Sequence, residues 1–221
     1  MGLENLNLSV FKYPLGFIRI IQFVFLVIAL SAANSWHAEL TFQCIDAENK
    51  TVTHTETTST FSMSSHPIKG CDGKPTKFWT GSWGGAAGFF YFTAVVSLIF
   101  VLIVTFSYVV LWQVYCNDKR IPLADLAVTA LLFVIWFFCI SIWWSASNGI
   151  GTQTSKENVE EILKNKDKEQ FGTFESVSAN NGKLAISVLS GWVLVATLAL
   201  DCWFIWKEVV PRSDENPTQI A

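Results

Sequence analysis

The 221-residue chain is 51% apolar and only 15% charged, where soluble domains carry about 25% charged residues, so a water-soluble enzyme is disfavoured. Its 15 basic and 18 acidic residues avoid four segments, 20–38, 78–117, 126–155 and 184–206, which together hold 112 residues and one charge, Asp201. With a net charge of −3, no basic stripe and no RNA-binding aromatic motif, nothing points to nucleic acid as a partner.

Such segregation is what a bilayer imposes, because an ionised side chain at mid-membrane costs roughly 2.5–3.5 kcal/mol on insertion scales and a span needs about 20 apolar residues. Residues 1–14 are expected to form a cytosolic N-terminus, residues 15–206 a membrane domain with spans near 15–34, 86–112, 124–146 and 184–206, and residues 207–221 a short disordered tail. Four buried helices of a soluble bundle would need polar outer faces at helical spacing, and the run from Phe89 to Trp112 has none. Ser31, Ala32 and Ala33 could pass for a signal-peptide cleavage site, but the preceding region is long and weakly basic, which favours an uncleaved first span.

Between the first two spans lies a polar loop with six threonines from Thr51 to Thr60. Leu40, Phe42 and Cys44 alternate there with polar neighbours, so short β-strands are expected. Cys44 and Cys71 share this loop. In an oxidising compartment they are expected to form a disulfide closing a 28-residue loop, two free thiols being the alternative. Residues 113–123 form a short link. In the third loop, Ser155 to Glu169 sets Val159, Ile162 and Leu163 at helical spacing, as in an amphipathic helix lying on headgroups or packing on the first loop.

Sidedness follows from basic residues near the spans: Arg19, Lys119, Arg120 and Lys207 flank them on the side carrying both termini, which predicts cytosolic termini. The sequon beginning at Asn49 would then be lumenal and open to N-glycosylation, whereas that at Asn7 would stay bare.

No catalytic constellation is present. His37, His54 and His66 lack the spacing of a zinc site, and there is no phosphate-binding loop, nucleophile elbow or metalloprotease motif, so a non-enzyme without metal or cofactor is expected. Asp201 is the sharpest single residue, since an intramembrane carboxylate is a functional candidate by default. It precedes Lys207 by six residues, about 9 Å along a helix, so interfacial placement competes with pairing across to another helix. Gly84 with Gly88, and Ser187 with Gly191, have the small-xxx-small spacing of helix contacts. Trp136, Cys139 and Trp143 share one face of the third span, a pattern usual for packing or lipid contact. Leu111, Tyr115 and Lys119 fit a proposed cholesterol motif, as do Arg19, Phe23 and Leu26 in reverse; these patterns are hints only.

The run Tyr13-Pro14-Leu15-Gly16-Phe17-Ile18-Arg19 into the first span, Glu39-Leu40 before Cys44, Asn49-Lys50-Thr51, Cys71, Asp125 with Trp136 and Trp143, and Trp203-Phe204-Ile205-Trp206-Lys207-Glu208 together resemble the synaptophysin family over residues 13–208. The resemblance implies an all-α, four-helix MARVEL-type bundle with a small disulfide-closed lumenal loop. It also implies residence in synaptic or other small transport vesicles, self-association into rings, cholesterol affinity and a synaptobrevin-type vesicle SNARE as partner. Three departures stand out: the third loop lacks the second disulfide typical of synaptophysins, the long Gly/Tyr-rich tail is missing, and Asp201 stands where the family usually has Asn. The leading expectation is a non-catalytic vesicle scaffold in trafficking and exocytosis. The alternatives are a channel or proton-coupled carrier using Asp201, and a claudin-like junction protein whose loop signature is missing.

Overall fold

The computed structural model describes residues 11–45, 50–110, 115, 120–164 and 171–209. Asn49, Leu111 and Lys119, together with the tail beyond Val209, lie outside them. Among the described residues the order is α1 (Pro14–Asn34), β1 (Ala38–Ile45), β2 (Thr51–Thr58), a 3-10 turn (Met63–Ser65), β3 (Ile68–Lys69), β4 (Pro75–Thr76), α2 (Gly84–Val110), α3 (Arg120–Gln153), α4 (Lys156–Lys164), β5 (Thr173–Ala179) and α5 (Asn181–Val209). Helices α1, α2, α3 and α5 are each long and apolar enough to cross a membrane, since about 20 residues at 1.5 Å rise cover the hydrocarbon.

The third helix overruns its purely apolar stretch at both ends. Pro122 fits near its start because the first turn has no intrahelical partner for an N–H. At the other end Ile150 is fully buried, and Thr154 donates its hydroxyl back to the Ile150 carbonyl at 2.9 Å, which carries the helix past residue 146.

Cα packing divides the chain into two units. The first comprises residues 1–30, 91–140 and 189–221. Its core brings Leu15 of α1, Val104 and Tyr108 of α2, Tyr115 and Ile205 of α5 together, with Ile121 and Leu126 of α3 packed against them. Outward positions such as Phe92, Phe106, Phe138 and Trp203 are large, apolar and exposed, the inverse of a water-facing surface and the arrangement lipid requires. Gly191 of α5 lies against the Ile140 side chain of α3, and a Cβ there would collide with it. Replacing Gly191 with valine is therefore expected to destabilise the protein by about 1–3 kcal/mol through overpacking, read as a lowered unfolding temperature in detergent; an unchanged temperature would remove Gly191 from the packing seam.

The second unit comprises residues 31–90 and 141–188. Its sheet has the order β2-β1-β5, with both neighbours antiparallel to the central β1. The alternation read from Leu40, Phe42 and Cys44 is the buried face of β1, its other face being partly or fully exposed. The third strand comes from the loop before α5, where no strand was expected. Thr173–Ala179 shows only partial burial, so its apolar period is weak, and it is pairing with β1 that makes it a strand. A two-stranded ladder of β3 and β4 accompanies the sheet, and the Cys44–Cys71 disulfide closes the loop that carries it.

The amphipathic segment forms α4 over Lys156–Lys164, its residues 165–169 lying outside the described ones. Val159 is fully buried there while Ile162 and Leu163 are half-buried, so its apolar stripe packs on protein, against β5. Gly172, just before β5, adopts φ +56°, and a Cβ would strike the Gln43 carbonyl of β1. Substituting alanine forces an L-residue into the left-handed region at roughly 1–2 kcal/mol, before the collision is counted. Faster proteolysis within residues 171–179 is the expected readout, and wild-type resistance would contradict it.

Candidate functional site

The first unit contains a set of ionisable side chains that no single helix reveals. Arg19 lies one turn into α1 and is fully buried. Its Nη2 donates to Asp125 Oδ1 on α3 at 2.8 Å and to the Thr129 hydroxyl at 3.1 Å. Its Nη1 lies 2.8 Å from Asp201 Oδ2 on α5 and donates to Gln22 Oε1 at 3.1 Å. Gln22 in turn donates from Nε2 to Asp201 Oδ2 at 3.1 Å. The guanidinium also sits 5.3 Å from the centre of the Phe100 ring of α2, a cation–π placement. The planar fork of arginine lets one cation serve two carboxylates on two helices, which a lysine point charge could not do.

Asp125 is the hub of this cluster. Besides Arg19 it accepts a 2.6 Å bond from Tyr108 of α2 and a 3.1 Å bond from Tyr115, both on Oδ2. The two rings meet edge to face with centroids 4.9 Å apart. Burial, and then the charge of Asp125, push the Tyr115 phenol well above its ordinary value, which keeps it a donor. Sequence reasoning named Asp125 only as part of a family motif, with no partner, and did not find the pairing role of Arg19. The signal was there: each lies one residue outside a charge-free segment, at 20 and at 126.

This geometry bears on two sequence readings. Of the two placements weighed for Asp201, pairing across to another helix is the one present: it is fully buried, and its shortest link is to Arg19 of α1. Arg19, counted in the sequence among the charges flanking the spans, is buried in this cluster, and in the reversed cholesterol motif both Arg19 and Leu26 face inward. Tyr115, the described member of the forward motif, likewise directs its hydroxyl onto Asp125.

The remaining candidates separate clearly. Ser187 accepts the Trp143 indole N–H at 2.9 Å, and Gly191 packs on Ile140, so both residues of the α5 pair touch α3. The other pair does not form such a seam: Gly84 abuts Ser62 in the preceding loop, and a Cβ on Gly88 would meet no described atom within 4 Å. The face made by Trp136, Cys139 and Trp143 is buried, with Trp136 donating to Ser97 at 2.8 Å, so it packs internally rather than against lipid. No group of three or more His, Cys, Asp or Glu able to hold a metal occurs among the described residues.

Comparison with known families matches residues 11–204 to MARVEL, a membrane-associating domain. The chain belongs to the MARVEL family. The match covers all four long helices apart from the last turn of α5, together with the disulfide-closed loop. With four membrane-length apolar helices, this MARVEL protein is a multi-pass membrane protein. Within the MARVEL domain the ionic cluster ties α1, α3 and α5 by charge and reaches α2 through the Tyr108 hydroxyl.

Proposed function

We propose that this MARVEL protein is a synaptophysin-type scaffold of small transport or synaptic vesicles, non-catalytic, acting in trafficking and exocytosis through self-association and contact with a synaptobrevin-type vesicle SNARE. The ordered motifs from Tyr13 to Glu208 support the subfamily. One structural observation carries the mechanical part of the reading: the membrane-embedded charges of Arg19, Asp125 and Asp201 are directed at one another, while the outward faces are apolar and aromatic. Contacts within the bilayer are then made by packing, with lipid, sterol or other helices, rather than by a charged pathway.

In this reading both termini are cytosolic and the sheet with its disulfide is lumenal, where Asn49 is available for glycosylation. The disulfide fits an oxidising compartment. Sterol affinity would reside on the outward faces, since Tyr115 points inward.

Two differently tagged copies are expected to co-purify from mild detergent together with the vesicle SNARE. Recovery of neither would overturn the scaffold reading. A channel or proton-coupled carrier instead predicts ion flux in proteoliposomes that Asp201→Asn abolishes, and that result would replace the scaffold.

A further inference from the structure

The ionic cluster is unbalanced. It holds one formal positive charge, on Arg19, and two negative ones, on Asp125 and Asp201, and these side chains are almost wholly shut off from solvent, at 0%, 6% and 0% exposure. A buried net charge is strongly unfavourable unless something neutralises it.

The two carboxylates are not equally well served. Each oxygen of Asp125 takes two donors: Oδ1 accepts from Arg19 at 2.8 Å and from Thr129 at 3.3 Å, and Oδ2 from Tyr108 at 2.6 Å and Tyr115 at 3.1 Å. That is close to the full capacity of an ionised carboxylate. Asp201 has donors on one oxygen only. Oδ2 lies 2.8 Å from Arg19 Nη1 and accepts from Gln22 at 3.1 Å, whereas Oδ1 is buried with no hydrogen-bond partner among the described residues. The surplus negative charge therefore falls on Asp201, at a defined atom.

We propose that Asp201 is a proton-binding site, taking a single proton from water onto Oδ1 and so bringing the Arg19–Asp125–Asp201 cluster to neutrality. The groups that face Asp201 are Arg19 and Gln22 from α1 and, across the guanidinium, Asp125 from α3. Tyr108 and Tyr115 bear on it through Asp125, and Cys202 is its neighbour on α5. Uptake and release move one proton between water and the carboxyl and change no other bond. Protonated, Asp201 leaves the guanidinium to Asp125, so that α1 and α3 hold together as a neutral pair. Deprotonated, it holds the other guanidinium nitrogen by charge and ties α1 to α5 more strongly, at the cost of a net buried negative charge. This makes the cluster a proton-responsive brace, and it stands independently of the vesicle assignment.

The test is infrared spectroscopy of the full-length protein in lipid nanodiscs at neutral pH, recorded in H2O and in D2O. The expected result is one protonated-carboxyl carbonyl band that shifts on deuteration. It should vanish in Asp201→Asn, which removes the site, and also in Asp125→Asn, which leaves one cation balanced by one carboxylate. Absence of the band from the wild-type protein would overturn the proposal without recourse to any variant, and so would a band that survives either substitution.

Discussion

Replacing Arg19 with methionine is expected to destabilise the folded protein by about 3–5 kcal/mol, the range for removing one partner from a buried ion pair. Methionine keeps much of the volume but leaves Asp125 and Asp201 buried without the cation that both face at 2.8 Å. Thermal unfolding in detergent, followed by tryptophan fluorescence, measures the loss. Arg19→Lys should recover only part of it, because a single ammonium cannot place separate nitrogens on Asp125 and Asp201. Adding Asp201→Asn to Arg19→Met should be less damaging than the two single losses combined, since both changes remove the same Arg19–Asp201 contact. An Arg19→Met protein as stable as wild type would mean that the cluster does not hold α1, α3 and α5 together.

The second large effect concerns the loop sheet. Removing the Cys44–Cys71 bond by paired serine substitutions should cost roughly 3–4 kcal/mol of stability in the chain-entropy model for a 28-residue loop. Cys44 is a buried residue of the central strand, and both β2 and β5 pair with that strand, so loosening it exposes two edges at once. Under non-reducing conditions the peptides bearing Cys44 and Cys71 should stay joined after proteolysis, and the paired-serine protein should be cut faster within residues 38–58 and 173–179. Equal cutting rates would show that sheet pairing and packing suffice. The third loop offers no cysteine between Gly149 and Lys183; what connects that loop to the first is the backbone pairing of β1 with β5.

Legibility differed sharply between elements. The four spans could be read because lipid exposure leaves no room for charge over some 20 residues, a constraint acting on each segment separately. Strand β1 was legible through its period of two, and the Cys44–Cys71 pair because no other cysteines share a polar loop. Strand β5 was not, since Thr173–Ala179 buries no residue fully and becomes a strand by pairing with a partner more than a hundred residues away. The glycines illustrate the same limit: Gly84 with Gly88 and Ser187 with Gly191 have identical spacing, yet only the second pair meets another helix, because spacing specifies a face and not what lies opposite.

The residue pattern alone was sufficient for a four-span membrane chain with a disulfide-closed polar loop, because hydrophobic length and charge exclusion are properties of each segment taken by itself. Only the tertiary structure decided that Arg19, Asp125 and Asp201 form one buried cluster. Asp125 follows Arg19 by 106 residues and Asp201 lies a further 76 along the chain, and no local rule links positions that far apart. Read singly, Arg19 counted as a charge flanking a span, Asp125 as part of a family motif, and Asp201 as an intramembrane carboxylate with two alternative placements. Brought together, the guanidinium offsets one of two carboxylates, and the three make the one place in the described membrane helices where charge is concentrated.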